Sequence, residues 1–411
     1  MLKINATRLL ANLESLAQIG GTPIGGVSRP AFSEADVAGR AWFKIRVEEA
    51  GLAFQIDGAG NLSAILPSTN PLAPTLLFGS HLDSVPNGGR FDGSLGVLCA
   101  LEALQTIQEA KLALPCHLEA ISFTDEEGAA LGTFGSRAFV GDLDLQDLQL
   151  GRLTPQQLDA GLQRLGLTRT GFLSAQRPAD TLAGFIEVHI EQGTRLEKAG
   201  VDIGVVTAIV GIRSFWLRFI GQAAHAGTMP MSQRADALWG AAEFIRQARE
   251  MVAASFSPGV MNCGRIQVSP GSFNIVPGEA RLALEFRHST VARLDEMEAA
   301  LLDLAAKTAG ALGLQCEAEP LARSSPAQMD GRMMQVVEKT AGQLGLSHIR
   351  LPSLAGHDAR SLSRITPTAL IFTPSVAGIS HNPRELTHDE DVINGANVLL
   401  HAILALAAGQ A

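Results

Sequence analysis

Five short stretches of this chain gather histidines and carboxylates where apolar runs end. The first is GSHLDSVPNGGRFDG, residues 79–93. His81 and Asp83 stand two apart, so an extended backbone projects them to one side. A histidine that binds metal through one ring nitrogen and donates the other N–H to Asp83 has its tautomer fixed. Asp92 follows in a glycine-rich turn that lets the chain fold back towards His81. The second stretch, TDEEG at 124–128, sets Glu126 and Glu127 after an apolar run. Adjacent carboxylates there are costly without a cation. Because neighbouring residues point different ways, one can bind a metal while the other acts as general base on a water.

The third stretch, EVHIEQG at 187–193, holds His189 among Glu187, Glu191 and Gln192. In the fourth, GQAAHAGTMP at 221–230, small neighbours let a ligand approach His225 closely. The fifth, GISHNPRE at 378–385, places His381 before Asn-Pro, a turn signal. Singly, each has an ordinary structural reading: a capped turn, an acid-rich helix start, a hydrogen-bonded core histidine. Together, His81, Asp92, Glu127, His189 and His381 form a ligand set of nitrogen and oxygen without sulfur. Such a set suits two Zn²⁺, Mn²⁺ or related ions bridged by a shared carboxylate and a water.

These residues need elements that bring strand ends together, and the apolar pattern supplies them. Thr75–Gly79, His117–Phe123 and Gly184–His189 read as strands running into the first three stretches, and Gly96–Ala110 reads as a helix. That alternation is the pattern of an α/β domain, whose strand carboxyl ends line the functional crevice. A second texture starts near Ile209. Ser214–Ile220, Gly264–Val268 and Ala280–Arg287 read as strands, and Arg234–Ala254 and Thr290–Leu312 as helices, a ferredoxin-like β-α-β-β-α-β block. Helix then resumes over Gly331–Leu344 and Asp391–Ala408, with a strand at Thr368–Phe372. The expected organisation is a discontinuous domain, 1–208 and 323–411, interrupted by a smaller α+β domain at 209–322.

Composition narrows the classes further. Of 411 residues, 46% are hydrophobic and 18% charged, and the formal net charge is −9. This fits a globular chain with buried cores and argues against a nucleic-acid binder, which needs a basic face. The four cysteines, Cys99, Cys116, Cys263 and Cys316, form no C-x-x-C pair, so thiolate zinc sites and a disulfide scaffold lack support. Leu9, Leu13 and Leu16 share one face of a docking helix rather than a signal peptide. No uninterrupted apolar run approaches the roughly 18 residues of a membrane span. A cytoplasmic location is expected.

The motifs HLDSVPNGGRFDG, TDEEG…GSRAFVG, HIEQG, AAHAGTMPMSQRADAL, GHDA and GISHNP occur in the order seen in M20-type hydantoinase/carbamoylase amidohydrolases. The chain resembles that family over about residues 20–405. The family includes N-carbamoyl-L-amino acid hydrolases, allantoate amidohydrolases and β-ureidopropionases. The resemblance implies a dimetal exopeptidase-like catalytic domain with an inserted lid and dimerisation domain, and so a homodimer. It implies His81, Asp92, Glu127, His189 and His381 as metal ligands, with Asp92 bridging the ions and Asp83 supporting His81. Glu126 would be the general base and His225 the donor to the tetrahedral oxyanion. Gln192, Asn274, Arg287, Gly356 and His357 would contact substrate, an Arg fork being apt for a carboxylate.

The activity so implied is cleavage of the ureido C–N bond of an N-carbamoyl-L-amino acid, releasing ammonia, carbon dioxide and the amino acid. Allantoate or ureidoglycolate is the alternative, and an N-acyl amino acid or dipeptide a remoter one. Arg213 and Arg360 would suit a substrate with a second anionic group. A silent homologue that only binds or dimerises should have lost part of the ligand set, which is complete here. Zn²⁺ or Mn²⁺ is expected, with Co²⁺ and Ni²⁺ also accepted by such ligands.

Overall fold

The computed structural model describes residues 1–409, which divide into two compact units. The first comprises residues 1–207, 329–351 and 355–409. The second is Ala208–Gln328 with Pro352–Leu354. The second unit thus begins one residue earlier and ends six residues later than the pattern suggested, and it takes three residues from the returning chain.

Four adjacent parallel strands form the middle of the first unit's nine-stranded sheet. They lie in the order His117–Phe123, Thr75–His81, Leu182–Ile190, Thr368–Thr373. Each is buried along nearly its whole length, as expected of parallel strands covered on both faces. Antiparallel strands flank them, among them Leu62–Leu66 and Ile203–Ile209.

The helix Ser94–Glu109 is buried on almost every turn and packs against the helix Asp389–Ala407. At Gly96 a Cβ would lie 2.2 Å from the Val188 carbonyl oxygen, so only glycine lets this helix sit so close to the strand carrying His189. Asp389–Ala407 is also, among the described residues, the one helix long and apolar enough to cross a membrane. Here Val392, Ala396, Leu399, Leu400 and Ile403 pack into the core, while Asp389, Glu390 and Asp391 sit at its favourable N-terminal end. Leu9, Leu13 and Leu16 are buried on the helix Ala6–Ala17, which docks as their spacing predicts. All four cysteines are free thiols.

The second unit is a four-stranded antiparallel sheet ordered Gln315–Ser324, Gly211–Ile220, Glu279–His288, Val260–Ser269. The helices Ala237–Ser255 and Val291–Ala311 pack on one face. Strict alternation along Gly211–Ile220 and Glu279–His288 puts Phe215, Leu217, Phe219, Leu282, Leu284 and Phe286 inward. Burying each such side chain contributes roughly 1.5–3 kcal/mol. The edge strand Gln315–Ser324 has no apolar alternation and contains Pro320, which edge strands tolerate.

Candidate functional site

The ends of the four parallel strands and their loops converge and, with Gly356 and His357 after the strand His348–Ser353, bring ten of the sequence-derived residues together in the first unit. His81 ends its strand with 1% exposure. Its Nδ1–H donates to the main-chain oxygen of Asp83 at 3.0 Å, leaving Nε2 as the free ligand atom. The expectation for Asp83 therefore changes. Its carboxylate stands 3.7 Å from His81 Nδ1 and instead accepts the backbone N–H groups of Glu126, 3.3 Å, and Glu127, 3.2 Å. Asp83 holds the two-glutamate turn, and its peptide carbonyl orients the histidine.

His189 repeats the pattern. Its Nδ1–H donates to the Ile190 carbonyl at 2.9 Å and its Nε2 faces Asp92 Oδ1 at 3.1 Å. His81 Nε2 is 3.6 Å from the same oxygen. The other carboxylate oxygen, Asp92 Oδ2, lies 3.4 Å from His381 Nε2, which is 3.3 Å from Glu127 Oε2. One carboxylate thus serves two groupings, His81–Asp92–His189 and Asp92–Glu127–His381, each compact enough to hold an ion. Asp92 reaches this position because Gly93 adopts φ +64 and packs directly on the His81 ring. Glu126 belongs to neither grouping; its Oε2 is 3.6 Å from His81 Nε2.

The electrostatics call for positive charge. Burial, then the charges of Asp358 and Glu127, push the Glu126 carboxyl well above its ordinary value. Burial also opposes ionisation of Asp92, but His189, His381 and His81 overcome it and hold that carboxyl well below the usual range. His189 is pushed up to about 9, because Asp92 and Glu187 outweigh the burial that would lower it. His381 is pushed up to about 10, chiefly by hydrogen bonds to Asp92 and Glu127. The donor set fits divalent cations: three imidazoles and two carboxylates, with Glu127 Oε1 buried and lacking a hydrogen-bond partner.

Gln192, at φ 55, donates from Nε2 to Asp92 Oδ2 at 2.7 Å. Gly356 faces Glu126, whose Oε1 would lie 3.9 Å from an added Cβ. His357 is 1% exposed, with its ring edge-on to His189 at 4.5 Å between centroids and tilted against Phe372 at 5.5 Å. It backs a metal-ligand candidate. Of the acids in EVHIEQG, Glu187 accepts from Ser80 and the Ala359 N–H, and Glu191 caps the helix Arg195–Ala199.

Sequence reasoning passed over Glu385 and Ser380. Glu385 accepts the backbone N–H groups of Phe91, 2.9 Å, and Asp92, 3.1 Å, and the Ser380 hydroxyl, 2.9 Å. The hint was available: Glu385 closes the GISHNPRE stretch, yet a surface turn needs no buried acid.

The remaining candidates belong to the second unit. His225 and Asn274 share a two-stranded ribbon, where His225 pairs with Ile275 and the Ala226 N–H donates to the Asn274 carbonyl. Arg287 lies on the strand Glu279–His288 and donates to Glu285 and to the Leu354 carbonyl. Arg213, read as a cation for a second substrate anion, is 8% exposed and pairs with Asp295 and Glu298 of the helix Val291–Ala311. Its charge is matched within its own unit.

Strand-end histidines around one shared carboxylate, on a mixed α/β frame, are the mark of a class of metal-dependent hydrolases, and the chain belongs to it: the model of peptidase family M20/M25/M40 matches residues 77–405. Within that class the similarity is to amidohydrolases. An N-carbamoyl-L-amino acid amidohydrolase from Geobacillus stearothermophilus is 36% identical over 411 residues, covering 99% of this chain and 100% of the relative. An allantoate amidohydrolase from Bacillus subtilis (strain 168) is 31% identical over 400 residues, 96% of each. Among solved structures, a hydantoinase/carbamoylase family amidase from Burkholderia multivorans aligns with a TM-score of 0.92 at 36% identity, covering 99% of this chain and 98% of that one.

Proposed function

We propose that this protein is an amidohydrolase that cleaves the ureido C–N bond of an N-carbamoyl-L-amino acid, yielding ammonia, carbon dioxide and the amino acid. The observation that carries this reading is the Asp92 carboxylate shared between two ligand groupings, with Glu126 alongside but outside both. His81, Asp92 and His189 would hold one divalent ion, and Asp92, Glu127 and His381 a second, Zn²⁺ or Mn²⁺ being best suited. Such ions, when bound, polarise the scissile carbonyl and acidify water.

The chain's own groups do the rest. Glu126 takes the proton from the attacking water and returns it to the departing nitrogen. His225 donates to the oxygen that gains charge. Gln192, Asn274, Gly356 and Arg287 bind the substrate, the guanidinium taking its carboxylate. His357 braces His189, and Asp83 keeps Glu126 and Glu127 in register. In this reading the smaller unit is a lid and the site of homodimer contact, and the enzyme works in the cytoplasm.

Allantoate or ureidoglycolate is the second reading, and the relatives keep it in view. Pairing of Arg213 with Asp295 and Glu298 removes one argument for a more anionic substrate. The test is turnover by chelator-stripped and metal-reloaded protein, read as ammonia release from N-carbamoyl amino acids, allantoate and ureidoglycolate and as free amino acid released from N-acyl amino acids and dipeptides. Fastest, metal-dependent turnover of a carbamoyl-L-amino acid is expected. Turnover of dipeptides alone would overturn the proposal, and preference for allantoate would replace it with the second reading.

A further inference from the structure

The exposed turn that follows His225 is bonded to itself far more than an exposed turn requires. The N–H groups of Gly227, at 3.1 Å, and Thr228, at 3.2 Å, both point at His225 Nδ1. The Met229 N–H closes the turn onto the His225 carbonyl at 3.0 Å, and the Ala226 N–H ties it to Asn274. Beneath it the half-buried Arg234 donates from Nε to the Met229 carbonyl at 3.2 Å and from its other arm to the Ala226 carbonyl. Arg234 thus grips the turn at two carbonyls that flank the two amides aimed at the ring.

Backbone N–H groups can only donate, so the atom they share must carry a lone pair. A proton on Nδ1 would crowd three hydrogens at one point and strip two donors of their acceptor. From this we infer that Arg234 and the 226–229 turn lock His225 as the neutral tautomer with its proton on Nε2. Arg234 is then a positioning residue. It keeps a hydrogen-bond donor, with no proton for transfer, ready at His225 Nε2. The use of that donor on a developing oxyanion rests on the reading under Proposed function; the tautomer itself does not.

The test is long-range ¹H–¹⁵N spectroscopy of the full chain labelled with ¹⁵N-histidine, with His225→Gln identifying the His225 signals. In the wild type at mildly alkaline pH, His225 should show a protonated Nε2 and an unprotonated Nδ1. In Arg234→Gln the two nitrogens should move towards averaged shifts, and Arg234→Lys, which can reach one carbonyl, should fall between. With a carbamoyl amino acid, Arg234→Gln should lower kcat on the order of tenfold, part of the loss seen when an oxyanion donor is removed, while KM changes by less than about twofold.

A proton on Nδ1 in the wild type overturns the lock, whatever the variants do. An unshifted His225 signal in a folded Arg234→Gln protein overturns the role given to Arg234. If the tautomer is as inferred but His225→Gln turns over substrate like wild type, the lock stands and the oxyanion assignment falls.

Discussion

Gly93→Ala tests the reasoning about the ligand cluster most directly. Gly93 sits at φ +64, between Asp92 and the helix that begins at Ser94. A Cβ there would lie 2.3 Å from His81 Cε1 and 2.4 Å from Nδ1 and Nε2. To reach ordinary contact the ring must retreat by about 1 Å, several times the roughly 0.2 Å tolerance of a metal–ligand distance. It cannot retreat freely, because Nδ1 is bonded to the Asp83 carbonyl and the residue is 1% exposed. The substitution should cost about 2–4 kcal/mol of stability, from left-handed strain plus overpacking. It should also weaken metal binding by at least about tenfold, the scale of a misplaced ligand support.

Gly166→Ala supplies the comparison, since Gly166 has φ +71 but nothing within 4 Å of an added Cβ. It should show the conformational cost alone, about 1 kcal/mol, with metal affinity intact. Chelator competition and thermal unfolding of both variants read the two quantities. Wild-type metal affinity in a folded Gly93→Ala protein would refute the placement of His81 against this turn.

Glu126→Gln should lower kcat by about 10²–10⁴-fold, the range for a general base, while bound metal measured by elemental analysis stays at the wild-type level. Arg213→Ala should reduce the unfolding midpoint by a few degrees, as expected for loss of about 1 kcal/mol, and leave the order of substrate preference unchanged. A changed preference would restore Arg213 to the substrate. In chelator-treated protein, burial, followed by a neighbouring carboxylate in each case, lifts Asp83, Asp125 and Glu385 to about 7. Such a carboxyl stays protonated in the folded chain after the unfolded chain has released its proton, so stability should fall as pH rises from about 4 to about 7. Asp92, held well below its ordinary value, acts in the opposite sense, but only at the acid end of that range. Urea midpoints measured across the window should therefore decline, and added metal should raise them more near pH 8 than near pH 5; a midpoint that climbs steadily would contradict the assignment.

The residues that could be read from sequence are those whose type was unusual for their setting. A buried strand running into SHLDS or TDEEG carries more charge than a strand end needs, which made His81, Asp92, Glu126 and Glu127 conspicuous. The alternation along Ser214–Ile220 and Ala280–Arg287 likewise marked two strands of the smaller unit, which the structure extends to Gly211–Ile220 and Glu279–His288. What stayed illegible depends on partners distant in the chain. Nothing in its own neighbourhood says that Glu385 will accept the amides of residues 91 and 92, or that Arg213 will find Asp295. Spacing also misplaced a bond. Two-residue separation suggested a side-chain contact between Asp83 and His81, whereas the ring finds the carbonyl and the carboxylate turns to the next strand's loop. The edge strand Gln315–Ser324 was required by the β-α-β-β-α-β order but could not be located by pattern, because both its faces are largely exposed.

The shifted carboxyls and imidazoles tie the proposed base to the proposed cations. In the metal-free chain, protons supply the positive charge this acid-rich pocket needs: on His189, raised to about 9, and on His381, raised to about 10. Burial, Asp358 and Glu127 all oppose ionisation of Glu126 as well. The general base must be the ionised carboxylate, so the same environment works against its role. Replacing the imidazole protons by divalent charge would favour the ionised carboxylate across the whole cluster, since an opposite charge within about 4–6 Å lowers a carboxyl pKa. Metal loading would therefore do two things at once in this site, activating the carbonyl and preparing Glu126 to accept a proton. The two can be separated, because a metal that restores substrate affinity without ionising Glu126 should restore KM and leave kcat low.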